Sequence, residues 1–233
     1  MGTGADRRRK AALARRRGPS PLMIIGIVVI VLFAGAIGFA VYRAQGPSAE
    51  GAAVPKNATA QGVLVGQPTA KATVDVYLDF QCPVCNAYEK QSGATIDELV
   101  ASGAAKVVYH PVAYLDRFSS GTKYSSRSSA AAGCAADEGV FPAYLKLLYS
   151  NQPEENGTGL PDSQLITLGQ QAGAGAGFAT CVSDATYAGW TKGVTDAASQ
   201  AGVNGTPTVK VNGTAIDNTD AALRQAVAAA NPA

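Results

Sequence analysis

Cys82-Pro83-Val84-Cys85 follows directly on an apolar run from Val74 to Phe80. Within that run Val74, Val76, Leu78 and Phe80 alternate with Asp75, Tyr77 and Asp79, the period of a strand with two distinct faces. The pattern changes after Phe80, which predicts a strand running into a helix over 83–102 that ends near Gly103. Pro83 stands at the first helical position, where its missing N–H is no loss and its fixed φ is already helical. Cys82 is then the N-cap, at the exposed start of the helix, facing orphan backbone N–H groups and the positive end of the dipole. That setting favours a thiolate and makes Cys82 a nucleophile. Cys85, one turn on, can close a disulfide with Cys82 or release a mixed disulfide formed there. Two blander readings are a zinc half-site and a structural bridge. Zinc needs further ligands at suitable spacing; Cys134 and Cys181 are solitary, and the single histidine is His110. Redox chemistry at Cys82 and Cys85 is the expectation.

The N-terminus sets the expected compartment. Arg7, Arg8, Arg9, Lys10, Arg15, Arg16 and Arg17 precede an uncharged apolar stretch from Leu22 to Tyr42. At about 1.5 Å per residue this stretch is about 31 Å long, the thickness of one bilayer core. The basic cluster stays cytoplasmic by the positive-inside rule, so the chain beyond Arg43 is expected outside the cytoplasm. A cleaved signal peptide competes with the anchor, because Ala34-Gly35-Ala36 offers a small-residue cleavage site. The apolar stretch continues past that site, which favours an anchor. The expected organisation is a basic tail over 1–21, a transmembrane anchor over 22–42, a flexible tether over 43–60 and one domain over 61–233. The tether is rich in Ala, Gly, Pro and Ser and is expected to bury no core.

The net charge of +2 conceals an asymmetry: the tail's seven basic residues against Asp6 give it +6, so the rest carries −4. The positive charge belongs to membrane orientation, and a nucleic-acid partner is not expected.

Beyond residue 60, strands are predicted at Gly62–Gly66, Thr73–Phe80 and Lys106–His110, the last stopped by Pro111. Helices follow at 124–137, 141–149, 162–172, 176–183 and 187–201. Thr208–Val211 and Thr214–Ile216 flank Asn212-Gly213, the signature of a type I′ hairpin. A last helix covers 220–229. The order β, β, α, β, a helical block, β, β, α predicts an α/β fold with a mixed sheet covered by helices.

That order and two motifs resemble the DsbA family of thiol:disulfide oxidoreductases. The motifs are Asp79-Phe80-Gln81-Cys82-Pro83-Val84-Cys85 and Gly205-Thr206-Pro207-Thr208. The stretch Tyr109-His110-Pro111-Val112-Ala113-Tyr114-Leu115-Asp116, with Cys134, resembles the membrane-anchored actinobacterial members. The resemblance implies a thioredoxin fold with a helical insertion over about 114–201, preceded here by one transmembrane helix. It implies that Pro207 is cis and lies beside the cysteines, with Thr206 offering backbone to an extended substrate in strand-addition fashion. Read alone, Thr206-Pro207 is a plain turn before the hairpin. The resemblance also implies exported proteins with free thiols as substrates, no cofactor, and a reoxidising membrane partner of the DsbB or vitamin K epoxide reductase type.

The chain departs from the family pattern at two places. Val84 stands where the strongest oxidants have histidine, so no imidazole supports the Cys82 thiolate. The thioredoxin-type buried acid six residues before the first cysteine is replaced by Val76. Asp79 is the nearest acid, read either as a proton relay for Cys85 or as an ordinary strand-end side chain. His110, before Pro111, is read as structural in preference to catalytic. Cys134 and Cys181 fall in two insertion helices and form either a structural bridge or two buried free thiols; an oxidising compartment favours the bridge. Asn57, Asn156, Asn204 and Asn212 begin Asn-x-Thr sequons, three of which are sufficiently explained as Asn-Gly turns. Tyr187 and Trp190 are expected in the insertion core. The opposing functional readings are a reductase or isomerase of the same fold, and a non-catalytic thioredoxin-like binding module.

Overall fold

The computed structural model describes residues 51–232. The expected anchor, Leu22–Tyr42, lies outside them, as do the tail and residues 43–50 of the expected tether. Among the described residues no helix is long and apolar enough to cross a membrane.

The chain forms β1 (Ala58–Thr59), β2 (Gly62–Val65), β3 (Ala72–Leu78), α1 (Pro83–Ala101) and β4 (Ala105–Pro111). A short 3-10 turn at Asp116–Phe118 leads to α2 (Tyr124–Asp137), α3 (Phe141–Ser150), α4 (Asp162–Gln171), α5 (Gly177–Ser183) and α6 (Ala188–Gln200). The chain then returns through β5 (Thr208–Val211), β6 (Thr214–Ile216) and α7 (Asp220–Ala230). These strands build one mixed sheet in the order β1-β2-β4-β3-β5-β6. Only β3 and β4 are parallel, joined by the crossover helix α1, with Val74 opposite Val107 and Val76 opposite Tyr109. β5 lies antiparallel on the other side of β3, Val76 opposite Val209. β4 ends at Pro111 and includes it, one residue beyond the expected end: Pro111 is paired with Leu78 at the strand's last position, and Val112 N donates to Leu78 O beyond it. The hairpin turn has Asn212 at φ 47° and Gly213 at φ 81°, the two left-handed residues a type I′ turn requires.

The helical block between β4 and β5 is held together by close approach. α2 is made largely of Ser, Ala and Gly, and its residues from Ser128 to Ala136 are all buried. Gly133 is where Tyr187 rests: a Cβ there would come 2.9 Å from the tyrosine Cβ. Gly169 of α4 meets the Phe178 ring of α5 so closely that a Cβ would lie 2.0 Å from it. Cys134 of α2 and Cys181 of α5 are joined by a disulfide.

The expected boundary at residue 61 falls too late. Pro55 is buried, β1 pairs with β2, and the segment is bonded to the insertion. Lys56 N donates to Asp137 Oδ1 at 3.0 Å, Asn57 Nδ2 to Ala136 O at 2.9 Å, and Trp190 Nε1 to Thr59 O at 2.8 Å. Small and polar composition reads as a tether, but the segment's backbone groups are the partners that the sheet edge and the insertion need.

Candidate active site

The C-terminal end of β3 delivers Asp79 to Cys82 to the point where the insertion meets the sheet. Cys82 is the N-cap of α1, with φ −74° and ψ 116°, and Pro83 is the first helical residue. The backbone closes tightly: Cys82 N donates to Asp79 O at 3.0 Å and Asn86 N to Cys82 O at 3.2 Å. Cys82 is not exposed as the helix start suggested. Only 6% of it is accessible, Cys85 is 2% accessible, and Val84 between them is 61% exposed. The cover is the loop before β5. There the Thr206–Pro207 peptide is cis, and Cys82 Sγ donates to Thr206 O at 3.4 Å. Asn218 Nδ2 donates to Pro207 O at 2.8 Å, and Thr208 Oγ1 to Gly205 O at 2.8 Å, which fixes that loop. The two motifs, far apart in sequence, thus meet at one sulfur.

The two thiols are unbridged and electrostatically unequal. Hydrogen bonding from the Cys85 thiol is the main influence that lowers Cys82, to about 6, against a burial penalty. The Thr206 side chain and the N–H groups of Cys85 and Val84 act in the same direction. No side-chain capping bond forms at this helix start, and the partial charges of those N–H groups favour the anion. The Thr206 carbonyl, which accepts from the thiol, favours the protonated form, and the donors outweigh it. Burial, with the neighbouring Cys82 sulfur adding to it, pushes Cys85 strongly upward. The pair is therefore split into a ready nucleophile and a shielded thiol that leaves its proton reluctantly.

Asp79 is fully buried, although the alternating pattern put it on the less apolar face. Its Oδ1 accepts from Gln81 N at 2.9 Å and Ser125 Oγ at 2.7 Å, and its Oδ2 accepts from Leu115 N at 2.9 Å. None of these partners is a thiol. Burial raises its carboxyl to about 6, against the three hydrogen bonds that lower it. The geometry makes Asp79 a clamp between the end of β3 and the insertion.

Several residues at this seam lie outside the expected set of site residues. Gln81 is wholly buried and donates to Phe118 O at 2.6 Å. Tyr149 OH donates to Asp79 O at 3.3 Å, and its ring packs on Phe80. Gln152, two residues past α3, donates to Phe80 O at 2.9 Å and Cys82 O at 3.0 Å. Asn86 donates to Tyr149 O and to Gln152 Oε1, both at 3.0 Å. His110 lies away from this cluster. It stacks on Tyr77 with centroids 4.1 Å apart, and its ring nitrogens face Gln61 O at 2.7 Å and Asp75 Oδ1 at 3.0 Å. Among the described residues no group of three His, Cys, Asp or Glu side chains is placed to hold a metal.

Residues 58–229 match the thioredoxin family. The disulfide oxidoreductase DsbG of Mycobacterium tuberculosis, solved in its reduced form, is 37% identical with a TM-score of 0.62, over 74% of this chain and 85% of that one. The oxidised DsbA of the same organism is also 37% identical, with a TM-score of 0.64 over 72% of this chain and 91% of that one. BdbD of Bacillus subtilis, at 17% identity and a TM-score of 0.66 over 77% and 97% of the two chains, shares the fold. The serine/threonine-protein kinase PknE of Mycobacterium tuberculosis is 32% identical over 158 residues. That match takes in 64% of this chain and only 28% of the kinase. With the family match spanning nearly all of the described domain and the nearer neighbours being thiol-disulfide enzymes, this chain belongs to the thioredoxin family and is a protein disulfide oxidoreductase of the DsbA type.

Proposed function

We propose that this chain is a membrane-tethered, extracytoplasmic oxidase that donates disulfides to exported proteins. The observation that carries the proposal is the unequal pair: a Cys82 thiol lowered to about 6 beside a Cys85 thiol raised by burial, both under the Thr206–Pro207 loop. A lowered nucleophile stabilises the dithiol product relative to the disulfide, which makes the disulfide a better oxidant.

In the proposed cycle the enzyme begins with Cys82 and Cys85 bridged. A substrate thiolate attacks the Cys82 sulfur, a mixed disulfide forms, and Cys85 leaves with the electron pair and takes up a proton. A second substrate thiolate attacks the substrate sulfur of the mixed disulfide and Cys82 leaves as a thiolate. Two electrons have passed from the substrate dithiol to the enzyme. A membrane protein of the DsbB or vitamin K epoxide reductase type then removes them by the reverse exchange. The exposed Val84 and the Thr206 backbone form the surface on which an extended substrate segment lies. Leu22–Tyr42 holds the domain at the membrane, and the basic tail before it stays cytoplasmic.

Val84 favours a second reading, net reduction or isomerisation, because it adds no positive charge to hold the thiolate. One measurement separates the two: the reduction potential of the Cys82–Cys85 pair equilibrated with glutathione. A potential above that of glutathione is expected; a potential well below it would assign the reducing direction.

A further inference from the structure

The helical insertion does more than cover the active site. Gln152 reaches from the loop after α3 into the turn that presents Cys82, and its single NH2 group donates to the carbonyls on both sides of Gln81. Its orientation is set by chemistry. The amide nitrogen faces two acceptors, and its oxygen accepts from Asn86 Nδ2; a flipped amide would set oxygen against both carbonyls. Asn86 is itself held by Tyr149 O and lies in the first turn of α1, the helix whose start is Cys82. A closed path therefore runs from Cys82 O through Gln152 and Asn86 back to the same helical turn.

We propose that Gln152 is a positioning residue for Cys82, holding the N-cap carbonyl so that the N–H groups of Val84 and Cys85 stay aimed at the sulfur. Cys82 O already accepts the first helical bond, from Asn86 N. It belongs to a turn with no side-chain cap, so that end of α1 is held only by its backbone bonds and by what reaches it from outside the helix. Gln152 supplies the missing restraint from outside the helix. Without it the N-cap dihedrals are free to relax, the N–H groups swing away from the sulfur, and the thiolate loses their partial charge. The insertion thereby tunes the nucleophile, and does so through a residue that never touches the sulfur.

This inference rests on Cys82 being the attacking thiol, and the test keeps the two apart. The full-length reduced chain and its Gln152→Ala and Gln152→Glu variants are alkylated with iodoacetamide across a pH series, and the labelled cysteine is mapped. Gln152→Glu preserves shape and replaces the donor with acceptors, and because its added charge would itself raise the midpoint, the neutral alanine variant supplies the supporting result and the glutamate variant the overturning one if the alanine variant does not fold. In the parent chain the rate is expected to titrate near the lowered Cys82 value of about 6. In both variants the midpoint is expected to rise by about one pH unit, which lowers the rate below the midpoint about tenfold. Asn86→Ala is expected to move it the same way by less. A midpoint unchanged in the folded Gln152→Glu variant, with only thermal stability altered, would overturn the proposal and leave Gln152 a packing residue. Label found on Cys85 instead would overturn the site assignment on which it rests.

Discussion

Ser125 Oγ donates to Asp79 Oδ1 at 2.7 Å, and by this bond the first turn of α2 is fastened to the strand end that carries the redox motif. Both residues are fully buried. The bond joins the two parts of the fold at the point where they share the active site, and it places a carboxyl group where charge is costly.

The Asp79 carboxyl sits at about 6 in the folded protein, against 3.8 as a reference. A raised value means that the folded state holds the proton more tightly than the unfolded chain. Its contribution to stability is fully present below about pH 4 and is lost as the pH rises through about 6. The gap corresponds to about 3 kcal/mol at most. Urea unfolding of the parent and of Asp79→Asn across this window should show a downward slope with pH in the parent that the variant lacks. Equal slopes would mean that the hydrogen bonds from Gln81, Leu115 and Ser125 offset the burial completely.

A chain that begins at Gln61 should be less stable than one that begins at Gly51. The shorter chain lacks β1 and Asn57 and leaves the Trp190 N–H without Thr59 O. The lost β1–β2 pairing, the lost bonds to Asp137, Ala136 and Leu64, and the orphaned Trp190 donor at a buried ring are together worth at least about 2–4 kcal/mol. Equal melting temperatures for the two chains would show that the segment is dispensable.

The disulfide between Cys134 and Cys181 closes a loop with a sequence separation of 47. In the chain-entropy view it stabilises by about 4 kcal/mol, and engineered cases often give less. The double serine variant should melt earlier by the corresponding amount while retaining thiol exchange at low temperature, because neither residue is among those that contact Cys82. Loss of exchange in a folded double variant would contradict that separation of roles.

Much of the fold is legible in the sequence because it is local. The β3–α1 junction follows from alternation, Pro83 and the spacing of two cysteines, and the hairpin from Asn212-Gly213. The site is legible only in its motifs. Asp79 alternates with apolar residues and so reads as lying on the less apolar strand face, yet the insertion packs over that face and buries it. Gln152 has no periodicity and no recognisable spacing, and Gln81 lies within the redox motif without any sign of its partner; they matter because Phe118 O, Phe80 O and Cys82 O are brought to them by tertiary packing. The 51–60 segment fails for the opposite reason, since its composition is that of a linker while its backbone is needed at the sheet edge.

Val84→His should make the pair more oxidising. The side chain at 84 is exposed, so an imidazole is accommodated without repacking and places a partial or full positive charge near the Cys82 sulfur. The thiolate is favoured, the dithiol form gains stability, and the potential rises by about 30 mV for each 1.4 kcal/mol gained. An alkylation midpoint equal to or above the parent's would contradict this.

The two cysteines should fail in different ways when each is removed. Cys82 carries the lowered thiol and lies under the Thr206 carbonyl, so Cys82→Ser should abolish exchange altogether. Cys85 is more deeply buried, and its raised value keeps it protonated until a mixed disulfide has formed next to it. Cys85→Ser retains the nucleophile and loses the thiol that releases it. That variant, expressed as the full chain, should accumulate mixed disulfides, formed when the Cys82 thiolate attacks a disulfide of another protein and displaces one of its two sulfurs, and visible as high-mass bands on a non-reducing gel that collapse with dithiothreitol. Formation of the adducts should slow as the pH is lowered through about 6, since the attacking thiolate is lost there. Adducts on Cys82→Ser instead would exchange the two roles, and adducts on neither variant would support a binding module that has kept its thiols without using them.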